Sequence, residues 1–132
     1  MQTVHIEREI PAAASLVYDY FTKGDLLVRW WPTEAETDPV VGGEFWMYWK
    51  EPDVTLRGEY RWTDPGRQLA FTWKWDHQDL PPRLVDVTFE PTPRGCQVRI
   101  SHDAETDEEV SDYTNGWRHF LERLKQAVPD SA

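Results

Sequence analysis

The chain has 132 residues and carries 24 acidic against 14 basic side chains, a formal net charge of -10. No Lys/Arg cluster longer than a pair interrupts this acidic balance, so nucleic acid and anionic membrane surfaces are unfavourable partners. The length is typical of one domain, which we predict to span residues 1–132. The apolar runs are too short to cross a membrane and the start does not resemble a signal peptide, which predicts a cytoplasmic protein.

The first quarter of the chain predicts one strand followed by two short helices. Residues 4–10, VHIEREI, alternate in polarity and place Arg8 on the otherwise apolar face of a strand. Pro11 ends that strand, and residues 12–21, AAASLVYDYF, have the composition and spacing of a short helix. A second short helix is predicted for residues 25–31.

The middle of the chain predicts five consecutive strands joined by turn sequences such as Asp64-Pro65-Gly66 and Pro93-Arg94-Gly95. With the first strand, they make a six-stranded antiparallel sheet. Alternation assigns to its inner face Phe45, Met47, Trp49, Leu56, Gly58, Tyr60, Trp62, Leu69, Phe71, Trp73, Trp75, Val85, Val87, Phe89, Cys96, Val98, Ile100 and His102. Cys96 is the only cysteine, so no internal disulfide can form, and we interpret it as a small buried side chain.

The last segment predicts one long amphipathic helix. Thr106 and Glu109 have the spacing of a capping box, and acidic residues fill the first turn, where the helix dipole favours them. Apolar residues then recur every three or four positions until Pro129. Gly116, in the middle of this helix, indicates either close packing or space left for a cavity.

Sheet and helix each have one apolar surface, and these surfaces must bury each other, which predicts an α+β fold with a curved sheet around the helix. A narrow helix and a curving sheet leave space between them, and a cavity there is the expected functional site. Trp49, Trp62, Trp73, Trp75 and Trp117 would either line such a cavity or fill it.

The sequence resembles a known family over nearly its whole length. The segments are IEREIPAAASLVYDYFT, RWWPTEAETDPVVGGEF, RGEYRWTDPGRQLAFTWKW and GWRHFLERLK, in this order. Together they resemble the activator of heat-shock-protein-90 ATPase homologue family, within the START-like (SRPBCC, helix-grip) superfamily. The resemblance implies a helix-grip fold and a container for apolar molecules; a minority of the superfamily are cyclases or hydrolases.

We therefore expect a binding protein for a small apolar or aromatic molecule, and more readily a non-enzyme than an enzyme. A cyclase or hydrolase using the same cavity and a chaperone-interaction module are the alternatives. The predicted ligand-binding residues are Met47, Trp49, Tyr60, Trp62, Phe71, Trp73, Val87, His102, Tyr113 and Trp117. No cofactor is expected, and the four histidines have no metal-binding spacing.

The candidates for catalysis are His102 and Arg8, which alternation places inward, together with a tyrosine, Tyr60 or Tyr113. For Arg8 an internal ion pair is the favoured interpretation, and an anchor for an anionic ligand group is the alternative. Trp46 and Tyr48 are expected on the outer face of the sheet. They either lie over the stems of neighbouring charged side chains or form a homodimer contact.

Overall fold

The computed structural model of the protein describes residues 2–129. Seven strands form one antiparallel sheet in the order β1-β7-β6-β5-β4-β3-β2. The elements in chain order are β1 (Gln2–Ile10), α1 (Ala14–Thr22), α2 (Gly24–Leu27), β2 (Glu34–Thr37), β3 (Glu44–Trp49), β4 (Val54–Asp64), β5 (Gln68–Trp75), β6 (Arg83–Thr92), β7 (Gly95–Ala104) and α3 (Asp107–Ala127). This confirms the predicted α+β helix-grip architecture.

The sheet has seven strands rather than the predicted six. The additional strand, β2, has the sequence EAET and pairs with β3 at the edge of the sheet. It has almost no apolar alternation, because one of its sides faces solvent and only Ala35 packs against the core. Without a buried face, a short edge strand gives no periodic signal, so the sequence indicates only a polar link.

The second short helix is also shorter than predicted. It spans Gly24–Leu27, and the chain then turns so that Trp30 and Trp31 enter the core from a non-helical segment. The Trp30 indole donates a hydrogen bond to the carbonyl of Tyr20, 2.9 Å away, which fixes this turn against α1.

The long helix is confirmed with its capping residue. The Thr106 hydroxyl accepts a hydrogen bond from the backbone N–H of Glu109, 3.1 Å away, so the helix begins where the capping sequence predicts. Its last turns are buried through Leu121, Leu124 and Val128. The backbone of α3 lies closest to β1 and β7, at one edge of the sheet.

The other strands curve away from the helix, and helix α1 packs at one end of the space that this leaves. Tyr18 and Phe21 of α1 contact the ring of Phe89 in β6 at centroid distances of 5.4 and 5.3 Å. Cys96 is buried nearby in the same core, as predicted. Because these strands curve away, the first half of α3 faces β3, β4 and β5 across a gap that only large side chains can span.

Trp62 corrects the predicted inner face of the sheet. The pairing of β4 with β5 shifts by one residue between Tyr60 and Trp62, which places Trp62 opposite Ala70. An extra residue in one strand interrupts the alternation of faces. Tyr60 stays buried, whereas Trp62 lies on the outer face with 52% of its surface exposed.

Gly58 is required on the inner face of β4. A Cβ atom there would lie 2.0 Å from the carbonyl oxygen of Thr72 and 2.5 Å from the Phe45 ring. The missing side chain thus lets the Phe45 ring pack across the strand against Tyr60 and Phe71.

We predict that Gly58→Ala lowers the free energy of unfolding by about 1–3 kcal/mol, because the added methyl group overpacks the core. Gly116→Ala is the matched control, since a Cβ at Gly116 meets nothing within 4 Å. It should raise stability by up to about 1 kcal/mol through helix propensity. Urea unfolding of both variants measures this, and equal effects would contradict the assigned packing.

Candidate ligand-binding cavity

A cavity of about 630 Å³ lies between the first half of α3 and the inner face of the sheet. Its remaining wall is formed by the β3–β4 turn and by the segment that follows β5. Exposed residues of these segments, among them Pro52, Gln78 and Leu80, surround an opening to solvent. The gap between helix and sheet is therefore neither closed nor completely filled.

Five tryptophans line the cavity, and we call them the tryptophan cluster: Trp31, Trp49, Trp73, Trp75 and Trp117. Trp31 is central, with ring centroids 5.0 Å from Trp117 and 5.9 Å from both Trp49 and Trp73. Trp75 extends the cluster from Trp73 at 5.6 Å. These distances are typical of aromatic contacts, so the rings support each other as one wall.

A hydrogen bond connects the centre of this wall to the sheet. The Trp117 indole N–H donates to Nδ1 of His102 across 3.0 Å, between α3 and β7. The Tyr113 ring stacks on the imidazole at a centroid distance of 3.7 Å, and Trp73 contacts it edge-on at 4.7 Å. His102 is thereby fully covered and lies behind the cavity wall.

The hydrogen bond also determines the protonation of His102. An indole N–H can only donate, so Nδ1 is unprotonated and the neutral ring carries its proton on Nε2. Nε2 is buried and has no hydrogen-bond partner within residues 2–129. Burial lowers the pKa of His102 to about 3, with the charge of Arg83 acting in the same direction and Glu109 opposing it.

A second connection holds the first turn of the helix to the sheet. Arg83, the first residue of β6, makes a bidentate ion pair with Glu109 at 2.7 and 3.1 Å. The two side chains are only 10% and 12% exposed. The Tyr113 hydroxyl donates to the same carboxylate at 3.1 Å. Mainly because of the Arg83 hydrogen bonds, the pKa of Glu109 falls to about 2.

Four predicted ligand-binding residues line the cavity: Trp49, Trp73, Tyr113 and Trp117. The others lie elsewhere. Met47, Tyr60, Phe71 and Val87 are buried in the core, away from the cavity. Alternation assigns a face but not a position along the strand, so it cannot separate core from cavity on the same face. Trp62 is on the outer face because of the shift in strand pairing.

Several lining residues are absent from the sequence prediction. Trp31 and Phe120 belong to the wall, as do Val54 and the segment around His77. Trp31 follows a short helix, and no periodic signal directs it toward α3. Gly116 lines the cavity, and the open space at its Cβ position supports the interpretation that it leaves room there.

The catalytic candidates Arg8 and His102 do not meet. Arg8 forms an ion pair with Glu122 of α3, the favoured sequence interpretation, although its side chain is 40% exposed rather than buried. It lies beside Pro11 and Lys125, at the opposite half of the helix from the cavity. Neither Arg8 nor His102 therefore reaches the cavity surface.

Trp46 and Tyr48 are half-buried on the outer face, as expected. Trp46 lies between its strand partners Glu36 and Arg57. The Tyr48 hydroxyl donates to Asp53 at 2.7 Å. Both side chains thus have charged neighbours, and the homodimer contact stays a prediction.

Residues 2–129 lack the features of a metal site and of a membrane-spanning helix. No group of three or more His, Cys, Asp or Glu side chains in this range is placed to hold a metal ion. Among the helices of the same range, none has the length and apolar character needed to span a membrane.

The buried histidine predicts a specific pH dependence of stability. In the unfolded chain histidine titrates near 6.5, so between about pH 6.5 and pH 3 the unfolded state binds one proton more than the folded state. Stability is therefore lost as the pH falls through this range, by about 1.4 kcal/mol per pH unit. Lowering the pH from 7 to 5 should cost about 2 kcal/mol through His102.

His102→Asn supplies the comparison, because its amide oxygen can replace Nδ1 as acceptor but does not titrate. Urea unfolding at pH 7 and pH 5 should show a smaller loss in the variant than in the wild type. The carboxylate of Glu109 does not interfere, since its lowered pKa affects stability only below about pH 4.5. Equal losses in both proteins would exclude the proposed state of His102.

Comparison with known proteins identifies the family. The model of the family described as "Activator of Hsp90 ATPase homolog 1-like protein" matches residues 11–129. Among solved structures, the protein MLL2253 from Mesorhizobium loti is 26% identical with a TM-score of 0.85, and 96% of each chain is covered. A search of curated proteins gave no match.

Two further solved structures show the same fold. CV1439 from Chromobacterium violaceum is 23% identical, with a TM-score of 0.84 and coverage of 97% of this chain and 98% of that one. The AHSA1-like protein from Aeromonas hydrophila is 25% identical, with a TM-score of 0.79 and coverage of 96% and 92%. With the family match over residues 11–129, the chain belongs to the activator of Hsp90 ATPase homolog 1-like family.

Proposed function

We propose that the protein binds a small apolar or aromatic molecule in the cavity between α3 and the sheet. The observation that carries this proposal is an open space of about 630 Å³ with five tryptophans in its wall. Pockets of roughly 300–1,000 Å³ hold small organic ligands. A volume of this size fits a compound of a few fused or linked rings better than a long lipid chain.

The energetics of the wall support a bound ligand. An aromatic side chain can bury on the order of 150–250 Å², and each Å² of apolar surface removed from water contributes about 25 cal/mol. Rings that face an open cavity leave part of this stabilisation unused. Trp31, Trp73 and Trp117 are already buried, whereas Trp49 and Trp75 are only partly buried. A flat apolar ligand would therefore recover this stabilisation mainly by covering Trp49 and Trp75.

The cavity also has a rigid construction suited to binding. The Trp117–His102 hydrogen bond and the Arg83–Glu109 ion pair connect α3 to two different strands. Since the wall is held in place before a ligand arrives, little ordering is required on binding, which favours affinity.

The cyclase or hydrolase alternative has little support. Arg8 and His102 do not line the cavity. Tyr113 does, but its hydroxyl already donates a hydrogen bond to Glu109. The low pKa of His102 also keeps the imidazole neutral near pH 7, and its one acceptor nitrogen is already used by Trp117. Association with a chaperone, to which the family description refers, stays a prediction, and so does the cytoplasmic location.

Binding of an uncharged fluorescent probe tests the proposal. N-phenyl-1-naphthylamine, whose emission increases in apolar surroundings, should bind the wild type at a single site. Gly116→Leu places a branched side chain in the cavity and should weaken binding about tenfold or more. Asn115→Leu is the matched control, because Asn115 is exposed on the same helix and does not line the cavity.

The two leucine variants separate specific from general binding. Loss of affinity in Gly116→Leu with wild-type affinity in Asn115→Leu supports the cavity as the binding site. The same affinity in all three proteins, or no binding by the wild type, would contradict the proposal. Thermal unfolding of each variant confirms that the fold is retained.

A further inference from the structure

The charges around the cavity opening are all of one sign. Its acidic lining residues are Glu51, Glu108, Glu109 and Asp112, and no lysine or arginine lies among the lining residues. Glu109 is compensated by Arg83. The other three are exposed and form no ion pair within residues 2–129.

These three carboxylates come from opposite sides of the opening. Glu51 lies in the turn between β3 and β4, whereas Glu108 and Asp112 lie on α3. Glu108 is in the first turn of the helix, where the dipole stabilises it, but Asp112 is one turn further along. Like charges at this spacing repel each other, so the pair has a cost that a nearby cation would remove.

The inner wall also suits a positive charge. The faces of tryptophan rings attract cations, and ammonium groups are bound in aromatic cages for this reason. The indole nitrogens of Trp49 and Trp73 are buried within the wall, so these rings present no exposed N–H group to an anion. At Trp49 and Trp73 the wall thus favours the same sign of ligand charge as the opening.

Building on the proposed function, we infer that the ligand is an organic cation. Its apolar or aromatic body lies against the tryptophan cluster, and its protonated or quaternary amine lies toward Glu51, Glu108 and Asp112. The aromatic wall supplies contact area, and the carboxylates supply selectivity for positive charge. An anionic molecule of the same shape is rejected at the opening.

Two probes of equal shape test the charge preference. Phenyltrimethylammonium and tert-butylbenzene differ by a cationic nitrogen in place of a neutral carbon, and 4-tert-butylbenzoate adds an anionic analogue. Isothermal titration calorimetry at low salt should show the cation binding about tenfold more tightly than the neutral isostere. Raising the sodium chloride concentration should reduce that ratio. The anion should bind more weakly than either.

Variants assign the preference to the carboxylates. The combined variant Glu51→Gln, Glu108→Gln and Asp112→Asn should bind the cation with an affinity close to that of the neutral isostere. Asp107→Asn removes one negative charge from a residue of α3 that does not line the cavity, and should leave the ratio unchanged. Affinity for the neutral isostere should be the same in all variants.

The outcomes distinguish the two proposals. If both probes bind the wild type equally, the inference about charge is wrong and the proposed function stands. If the combined variant keeps the full preference for the cation, the carboxylates do not cause it and the inference is also wrong. If neither probe binds and N-phenyl-1-naphthylamine also fails to bind, the proposed function itself is wrong.

Discussion

The hydrogen bond from Trp117 to His102 fixes the distance between the long helix and the sheet. A straight helix cannot follow a curving sheet, so α3 contacts only one edge of it closely, and its first half needs a separate support. That support is aromatic: Tyr113, Trp117 and Trp73 surround the imidazole. The cavity exists because these rings hold the helix away from β3, β4 and β5 without filling the space between them.

This arrangement requires two polar side chains, His102 and Arg83, to be buried at a cost in free energy. The imidazole stays neutral with one buried nitrogen unpartnered, and the guanidinium is nearly buried beside Glu109. Apolar residues of similar volume would often give the protein the same stability, so buried polar groups indicate another role. Here they determine the position of the helix, and thereby the shape of the cavity. By holding the helix in place, these polar groups also maintain the cavity.

The fold could be predicted from the sequence because its signals are periodic. Alternation in the strands, the apolar stripe of α3 and the capping pair Thr106 and Glu109 each have a direct physical cause. The short edge strand β2 has no buried face and gave no such signal. Alternation places Trp62 on the wrong face, because a one-residue shift in pairing is not visible in the sequence of a single strand.

The site was only partly predictable, because a cavity depends on the distance between elements. Trp49, Trp73, Tyr113 and Trp117 line it, but Met47 and Phe71 share their inner face and are packed in the core. The most direct test of ligand binding in the cavity is an NMR titration of the indole N–H signals with N-phenyl-1-naphthylamine. We predict shifts for the tryptophan cluster and none for Trp46 or Trp62 on the outer face. Shifts confined to Trp46 and Trp62 would contradict ligand binding in the cavity.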